Sequence, residues 1–245
     1  MRGKDIVVRS GVVLALVAGA AMLPGQAGAA RGTPDVSRLI WQVKEALEKN
    51  PRTLGCDGSA CDHDIAGMFV LPGRRPAAIV LGRTSHGPCM TCETSMSFFR
   101  YVLRGGRWKL VKADLAFMST QGGGGRWRLL HRGRKGSLLV FRQFDGNQGY
   151  EAETLSIYAL HGKGVRRAGW LCGGRSNRKA REMGGGGRLV DWKARLRVGK
   201  GGALRLEVVD AAAHRRSSLP LDIREGKLLA PESLEPRLRL EKCGW

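Results

Sequence analysis

Residues 133–140 read Gly-Arg-Lys-Gly-Ser-Leu-Leu-Val, and they resemble residues 73–80, Gly-Arg-Arg-Pro-Ala-Ala-Ile-Val, at an offset of 60. Each stretch begins with turn residues and ends in a short apolar run that is typical of a buried strand. Downstream, Glu93-Thr94 matches Glu153-Thr154 at the same offset. The pattern predicts antiparallel repeat units of about 60 residues, each with about four short strands.

Units of this length have the size of propeller blades, and a weaker third copy begins near residue 202. Three units are too few for a closed propeller, which needs about four blades. We therefore predict a mainly β fold, either a partial-propeller-like meander or a sandwich. Chance similarity between alternating strands with glycine turns is the alternative explanation of the repeat.

One amphipathic helix is predicted over residues 33–50, with Thr33 as its cap, Pro34 at the first helical position and Asn50-Pro51 at its end. Its apolar positions recur at helical spacing. They are Val36, Leu39, Ile40, Val43 and Leu47. We expect this face to pack on the sheet that follows.

The first 29 residues have the pattern of a cleavable export signal. Basic residues precede an apolar run from Gly11 to Leu23, and a small-residue cleavage site ends at Ala29. The run of 13 residues is shorter than the roughly 20 that a spanning helix needs, which argues against an uncleaved anchor. The predicted organisation is a signal peptide over 1–29, a helix with a cysteine-bearing loop over 30–67, and a β-repeat domain over 68–245, in a periplasmic or secreted protein.

The chain carries a formal net charge of +21, and 30 of its 42 basic residues are arginine. Removal of the predicted signal takes away three basic residues and one acidic residue, which leaves +19. Such a charge favours an anionic partner, either an acidic protein or an anionic envelope polymer, and export makes nucleic acid an unlikely target. The triplet Arg126-Trp127-Arg128 is one candidate binding cluster. Trp127 in it is either a stacking platform or an apolar strand residue.

Six cysteines in an exported chain predict disulfides. We favour the pairs Cys56–Cys61, Cys89–Cys92 and Cys172–Cys243, although the sequence alone permits fifteen pairings. The alternative is a zinc site, for which the candidate ligands fall in two clusters. These are Cys56, Cys61 and His63 in the first, and His86, Cys89 and Cys92 in the second. A second alternative is thiol-redox catalysis at the CxxC formed by Cys89 and Cys92.

A polar loop is predicted over residues 145–151, and its candidate binding residues are Asp145, Asn147 and Tyr150. It occupies the same place in the second unit that the loop bearing His86 occupies in the first. Loops in equivalent places gather at one end of a β structure, where binding sites are common. We therefore include His86 among the candidate binding residues.

The His86-x2-Cys89-x2-Cys92 loop, the Gly105-Gly106-x-Trp108 hairpin and the later Gly149-Tyr150 pair together resemble a set of exported, β-rich bacterial proteins of uncharacterised activity. The resemblance covers roughly residues 73–172. It implies an exported compartment and a β fold.

These features favour an exported, non-catalytic binding module. One concrete form is an inhibitor or immunity-type protein that blocks an envelope-acting enzyme. A binder of anionic lipid or cell-wall polymer is the first alternative, and a thiol-redox or zinc-dependent enzyme centred on the CxxC loop is the second. The common nucleophile and metalloprotease motifs GxSxG and HExxH are absent from the sequence.

Overall fold

The computed structural model describes residues 36–56, 61–71, 76–87, 93–121, 125–162, 164–229, 238 and 243. The predicted export signal and the Cys89–Cys92 pair lie outside these ranges. Within them the chain is mainly β, as predicted. Two helices are present, α1 (Ser37–Glu48) and α2 (Arg178–Glu182). The strands are β1 (Cys61–Leu71), β2 (Ala77–His86), β3 (Glu93–Arg104), β4 (Arg107–Gln121), β5 (Gly125–His131), β6 (Ser137–Asn147), β7 (Tyr150–His161), β8 (Gly164–Ser176), β9 (Asp191–Val198), β10 (Leu204–Asp210), β11 (Arg215–Arg224) and β12 (Lys227–Leu229).

The strands form three antiparallel meanders of four. The first meander, β1 to β4, is a separate sheet, whereas the second and third are joined through β8 and β9 into one sheet of eight strands. The two similar octapeptides end in β2 and β6, the second strand of the first and second meanders. The sequence repeat itself stays a prediction. The predicted domain boundary at residue 68 falls inside β1.

The layers are stacked, with α1 on the outside. Leu39, Val43 and Leu47 are the buried residues of α1, and they pack on the outer face of the first sheet. Gly82 permits this close approach, because a Cβ there would lie 2.8 Å from Leu47 Cδ1. Within the described residues the helix begins at Ser37, and Val36 precedes it without a side-chain cap, whereas the predicted start at Thr33 and Pro34 lies outside the described residues. Neither described helix is long and apolar enough to cross a membrane.

Two further hydrophobic cores lie between the meanders. The first joins the inner face of the first sheet to the second meander, through Ile79, Leu81, Met96, Phe98, Leu139, Phe141 and Tyr158. The second joins the second and third meanders. Since apolar residues alternate with polar ones along β9 and β10, each of these strands buries one face in that second core. The arrangement is a layered sandwich.

The eight-stranded sheet bends sharply between β8 and β9. These strands pair over only three residues each, Gly174–Ser176 with Asp191–Lys193. Beyond that point β9 runs close to β5, so that the third meander folds back over the second. The β5–β9 junction is therefore a seam at which strands meet without backbone pairing.

Two of the predicted disulfides are confirmed. Cys56 and Cys61 are joined across a short turn, with their Cα atoms 6.0 Å apart. Cys172 and Cys243 are joined with their Cα atoms 5.2 Å apart, which fixes the C-terminal end on the second core. The described cysteines are thus all paired.

Candidate anion-binding site

Arg142 on β6 organises the β5–β9 seam. One terminal nitrogen of its guanidinium donates to the carbonyl oxygen of Ala194 on β9, at 2.7 Å. Its Nε lies 3.2 Å from Oε2 of Glu153 on β7. Since Arg142 is held by two strands at once, its position is fixed before any ligand arrives.

Glu153 is the carboxylate at the centre of the seam, and only 8% of its side chain is exposed. Lys193 reaches it from β9, with Nζ 3.7 Å from Oε1. Gly174 lies between the two in the sheet register and has no side chain to obstruct the contact. Oε2 makes an ion pair with Arg142, but the geometry of that contact does not satisfy a hydrogen bond.

Three exposed arginines surround this centre. Arg126 on β5 lies directly opposite Arg142, Arg128 follows on the same strand face, and Arg195 lies on β9. Among the described residues, no carboxylate lies within ion-pairing distance of any of the three. We call this group the arginine seam, and it comprises Arg126, Arg128, Arg142, Lys193 and Arg195 around Glu153. Its formal charge is +4, five cations less one carboxylate.

The cations of the arginine seam repel one another, and burial and the nearby charges change the pKa of Arg142. Burial lowers the pKa of the Arg142 guanidinium below its ordinary value, the Glu153 carboxylate opposes this shift, and the nearby arginines add to it. A guanidinium keeps its charge even so, because its ordinary pKa lies far above neutral pH. The excess positive charge is therefore permanent, and a bound anion would relieve it.

The positive surface continues from the seam onto the outer face of the third meander. Here the exposed cations are Lys193, Arg195, Arg197, Arg205 and Arg216, and Glu207 is among them. Glu207 lies opposite Arg195 but pairs with Arg197, at 3.2 Å. Each guanidinium group on this face of the sheet can donate two hydrogen bonds to one carboxylate or phosphate. Together these groups can bind a ligand that carries several such anions.

Trp127 does not share a face with its neighbouring arginines. Its ring lies in the core between the first and second meanders, 4.7 Å from the Phe141 ring and 5.7 Å from the Tyr158 ring. Since side chains alternate along a strand, Arg126 and Arg128 point to the opposite side of β5. The structure thus places Trp127 as the apolar strand residue, and the ring is not aligned with the arginines for stacking on a ligand.

Two other arginines, Arg132 and Arg167, are engaged in contacts of their own. Arg132 is 4% exposed and donates from Nε to the carbonyl oxygen of Gly202, at 3.0 Å. Arg167 stacks over the half-exposed ring of Trp170, at 4.3 Å. Neither arginine is a member of the arginine seam.

The predicted polar loop over residues 145–151 is a tight hairpin. Asp145 and Asn147 lie in β6, Tyr150 opens β7, and only Gln148-Gly149 forms the turn. Both turn residues have positive φ, 48° and 82°, which type I′ hairpin turns require. The hairpin contacts α2, and the Gly149 carbonyl accepts from the Ala180 amide at 3.2 Å.

His86 lies in the first sheet, and the polar hairpin lies in the other. His86 Nε2 is 3.2 Å from Ser95 Oγ, and His63 Nδ1 is 3.0 Å from Thr84 Oγ1. The structure therefore does not bring His86 together with the hairpin residues in one sheet. Each histidine has a hydroxyl partner within its own sheet.

The candidate zinc ligands divide into a described and an undescribed part. The ligand atoms of Cys56, Cys61 and His86 lie within 4.8 Å of one another. Both sulfurs, however, are in a disulfide, and zinc is bound by thiolate. The CxxC of Cys89 and Cys92 lies outside the described residues, so the redox hypothesis stays a prediction.

Two members of the arginine seam, Arg126 and Arg128, were predicted from the sequence, and the others were not. Arg142, Glu153 and the pair Lys193 and Arg195 are far apart in sequence and come together only because β6, β7 and β9 meet. One signal was present: Glu153 lies on the same alternating positions of β7 as Leu155 and Ile157, both buried. A charge on a buried strand face indicates a paired or functional group.

Compared with known proteins, the chain matches no family model, no curated protein and no solved structure.

Proposed function

We propose that the chain is an exported, non-catalytic binding module that holds an acidic protein at the arginine seam. The observation that carries this proposal is the excess of exposed arginines, without carboxylate partners among the described residues, around the fixed Arg142–Glu153 pair. Like charges directly opposite each other in a sheet are destabilising. A local arrangement of residues that lowers the stability of the folded protein is characteristic of a functional site.

The composition of the surface favours a protein partner. Protein interfaces are enriched in arginine and aromatic residues and depleted in lysine. The seam has four arginines and one lysine, and Phe144, two residues after Arg142 on the same strand face, is 43% exposed. A half-exposed aromatic ring beside guanidinium groups can make apolar contacts with a partner, which charged groups alone do not make.

Inhibition of an envelope-acting enzyme is the concrete form of this proposal. A partner with an acidic active-site rim would be steered to the arginine seam and then held by several charge-assisted hydrogen bonds. Because Arg142 is already fixed by Ala194 and Glu153, binding loses little of its side-chain entropy.

The test is capture of partners from periplasmic extract at low salt. The bait is the wild-type chain, the seam variant Arg126→Gln/Arg128→Gln/Arg195→Gln, or the control variant Arg104→Gln/Arg107→Gln/Lys109→Gln. The control removes the same charge from exposed positions of the β3–β4 hairpin in the first sheet. We expect one acidic protein to be retained by the wild type and the control and lost by the seam variant.

The alternative partners give different outcomes in matched assays. Co-sedimentation with anionic vesicles or cell-wall sacculi, lost in the seam variant while no protein is captured, would replace the acidic protein by an envelope polymer. Equal retention of the acidic protein by all three baits would show that the arginine seam does not bind it. Export is tested separately, by an intact mass of the periplasmic protein that lacks residues 1–29.

A further inference from the structure

A cavity lies between the first sheet and the second meander, on the other side of β5 from the arginine seam. Its volume is about 160 Å³. Arg83, Thr94, Met96 and Thr120 line it from the first sheet, and Trp127 and Phe141 line it from the second meander. It therefore opens where two layers meet without backbone hydrogen bonds between them.

Two side chains that line this cavity each carry a buried donor with no hydrogen-bond partner among the described residues. The donors are Nε of Arg83 and Nε1 of Trp127, one from each layer. Buried donors are nearly always paired in folded proteins, because an unmade hydrogen bond is costly. Since the two donors belong to side chains that line one cavity, an acceptor from outside the chain that enters the cavity is the group that could pair with them.

The surroundings of the two donors define the acceptor. A terminal nitrogen of Arg83 is already held by Asp64 Oδ2, at 3.1 Å, which fixes the guanidinium and leaves Nε for another group. The walls combine the Thr94 and Thr120 hydroxyls with the apolar Met96 and Phe141 side chains. A ligand that fits has oxygen acceptors at one end and a short apolar part at the other.

Size limits the ligand further. A protein cavity of about 150 Å³ accommodates a molecule as large as benzene, whereas drug-sized ligands need about 300 Å³ or more. A carboxylate offers two oxygens in one plane, one for each donor. The strongly positive field of the chain also favours an anion over a neutral amide.

We propose that this cavity binds a short-chain carboxylate. Its oxygens accept from Arg83 Nε and Trp127 Nε1, and its alkyl part packs against Met96 and Phe141. The proposal does not depend on the acidic protein partner, since the residues of the cavity and those of the arginine seam do not overlap.

The experiment is a titration of the ¹⁵N-labelled full chain with sodium butanoate, observed at the tryptophan indole N–H resonances. Trp127→Phe identifies the Trp127 resonance by its disappearance and keeps an aromatic ring in the core. Trp108→Phe is the matched control, because its Nε1 is also buried without a partner in the described part of the chain but lies in the core beneath α1. Butanamide and an equal concentration of sodium chloride are the ligand controls.

We expect a saturable shift of the Trp127 N–H resonance with butanoate alone. Affinity, followed by the amide resonances, should fall about tenfold or more in Arg83→Gln and in Trp127→Phe and stay unchanged in Trp108→Phe. A linear, non-saturating response would overturn the proposal. So would equal binding of butanamide, or unchanged affinity in both cavity variants.

Discussion

Arg126 and Arg142 lie directly opposite each other on the adjacent strands β5 and β6, so two guanidinium groups share one face of the sheet. Glu153 compensates Arg142 from the next strand, at 3.2 Å, but no described carboxylate pairs with Arg126. The two guanidinium groups therefore repel each other at the surface of an otherwise well-packed layer. The first prediction follows from this repulsion.

Replacing Arg126 by Thr should stabilise the protein. It removes a like-charge pair and introduces a residue that is favoured in strands, so the free energy of unfolding should rise by about 0.2–1 kcal/mol. Urea denaturation at low salt measures the change, which should shrink at high salt because exposed charges are screened. Lys109→Thr, at an exposed position of β4 opposite Val102, is the control for strand propensity alone. A loss of stability in Arg126→Thr would contradict the repulsion.

Replacing Glu153 by Gln should destabilise the protein. The change leaves Arg142 and Lys193 around a site without a carboxylate, and we expect a loss of up to about 3 kcal/mol, limited because Lys193 is half exposed. Glu207→Gln is the matched control, since its pair with Arg197 is exposed on both sides and should contribute less than about 1 kcal/mol. Equal effects of the two substitutions, measured by urea denaturation, would show that Glu153 has no special role.

The two described disulfides should differ in their contribution to stability. Cys172–Cys243 closes a separation of 71 residues and Cys56–Cys61 one of 5. Loop entropy then gives about 4 kcal/mol for the first and about 2 kcal/mol for the second. Double Cys→Ser variants of each pair, compared by denaturation, test this order. The reverse order would indicate that the short bridge does more than close a turn.

Stability should fall at alkaline pH. Burial raises the pKa of both Tyr101 and Tyr158 to about 12, from an ordinary value of about 10. Because the folded-state pKa is the higher one, these tyrosines contribute their full stability below pH 10 and lose it as the pH rises from about 10 to 12. Denaturation midpoints across this range measure the loss. It should be smaller in Tyr158→Phe than in the wild type, and an unchanged loss in Tyr158→Phe would contradict it.

Local patterns were sufficient to predict most of the β structure. The alternation along β9 and β10, and the glycine turns between strands, depend only on neighbours in sequence. The Cys56–Cys61 pairing could be predicted for the same reason, because the two cysteines are close in sequence. The hairpin at residues 145–150 was predicted as a loop because its turn is Gln148-Gly149, and Gln is an uncommon residue at positive φ.

The candidate site could be predicted only in part, because it depends on how layers meet. Arg126 and Arg142 are 16 residues apart, and Arg195 is a further 53 residues along the chain. No sequence pattern indicates that β9 leaves β8 after three residues and returns beside β5. The orientation of Trp127, in contrast, follows from strand alternation between two arginines.

The most direct test of the central claim is the dissociation constant for the purified chain and the acidic protein that it captures from extract. We predict that the seam variant Arg126→Gln/Arg128→Gln/Arg195→Gln binds at least about tenfold more weakly, while the control variant Arg104→Gln/Arg107→Gln/Lys109→Gln changes little. Wild-type affinity should also fall steeply as salt is raised. Equal weakening by the two variants would show that net charge alone drives binding and would contradict a site at the arginine seam.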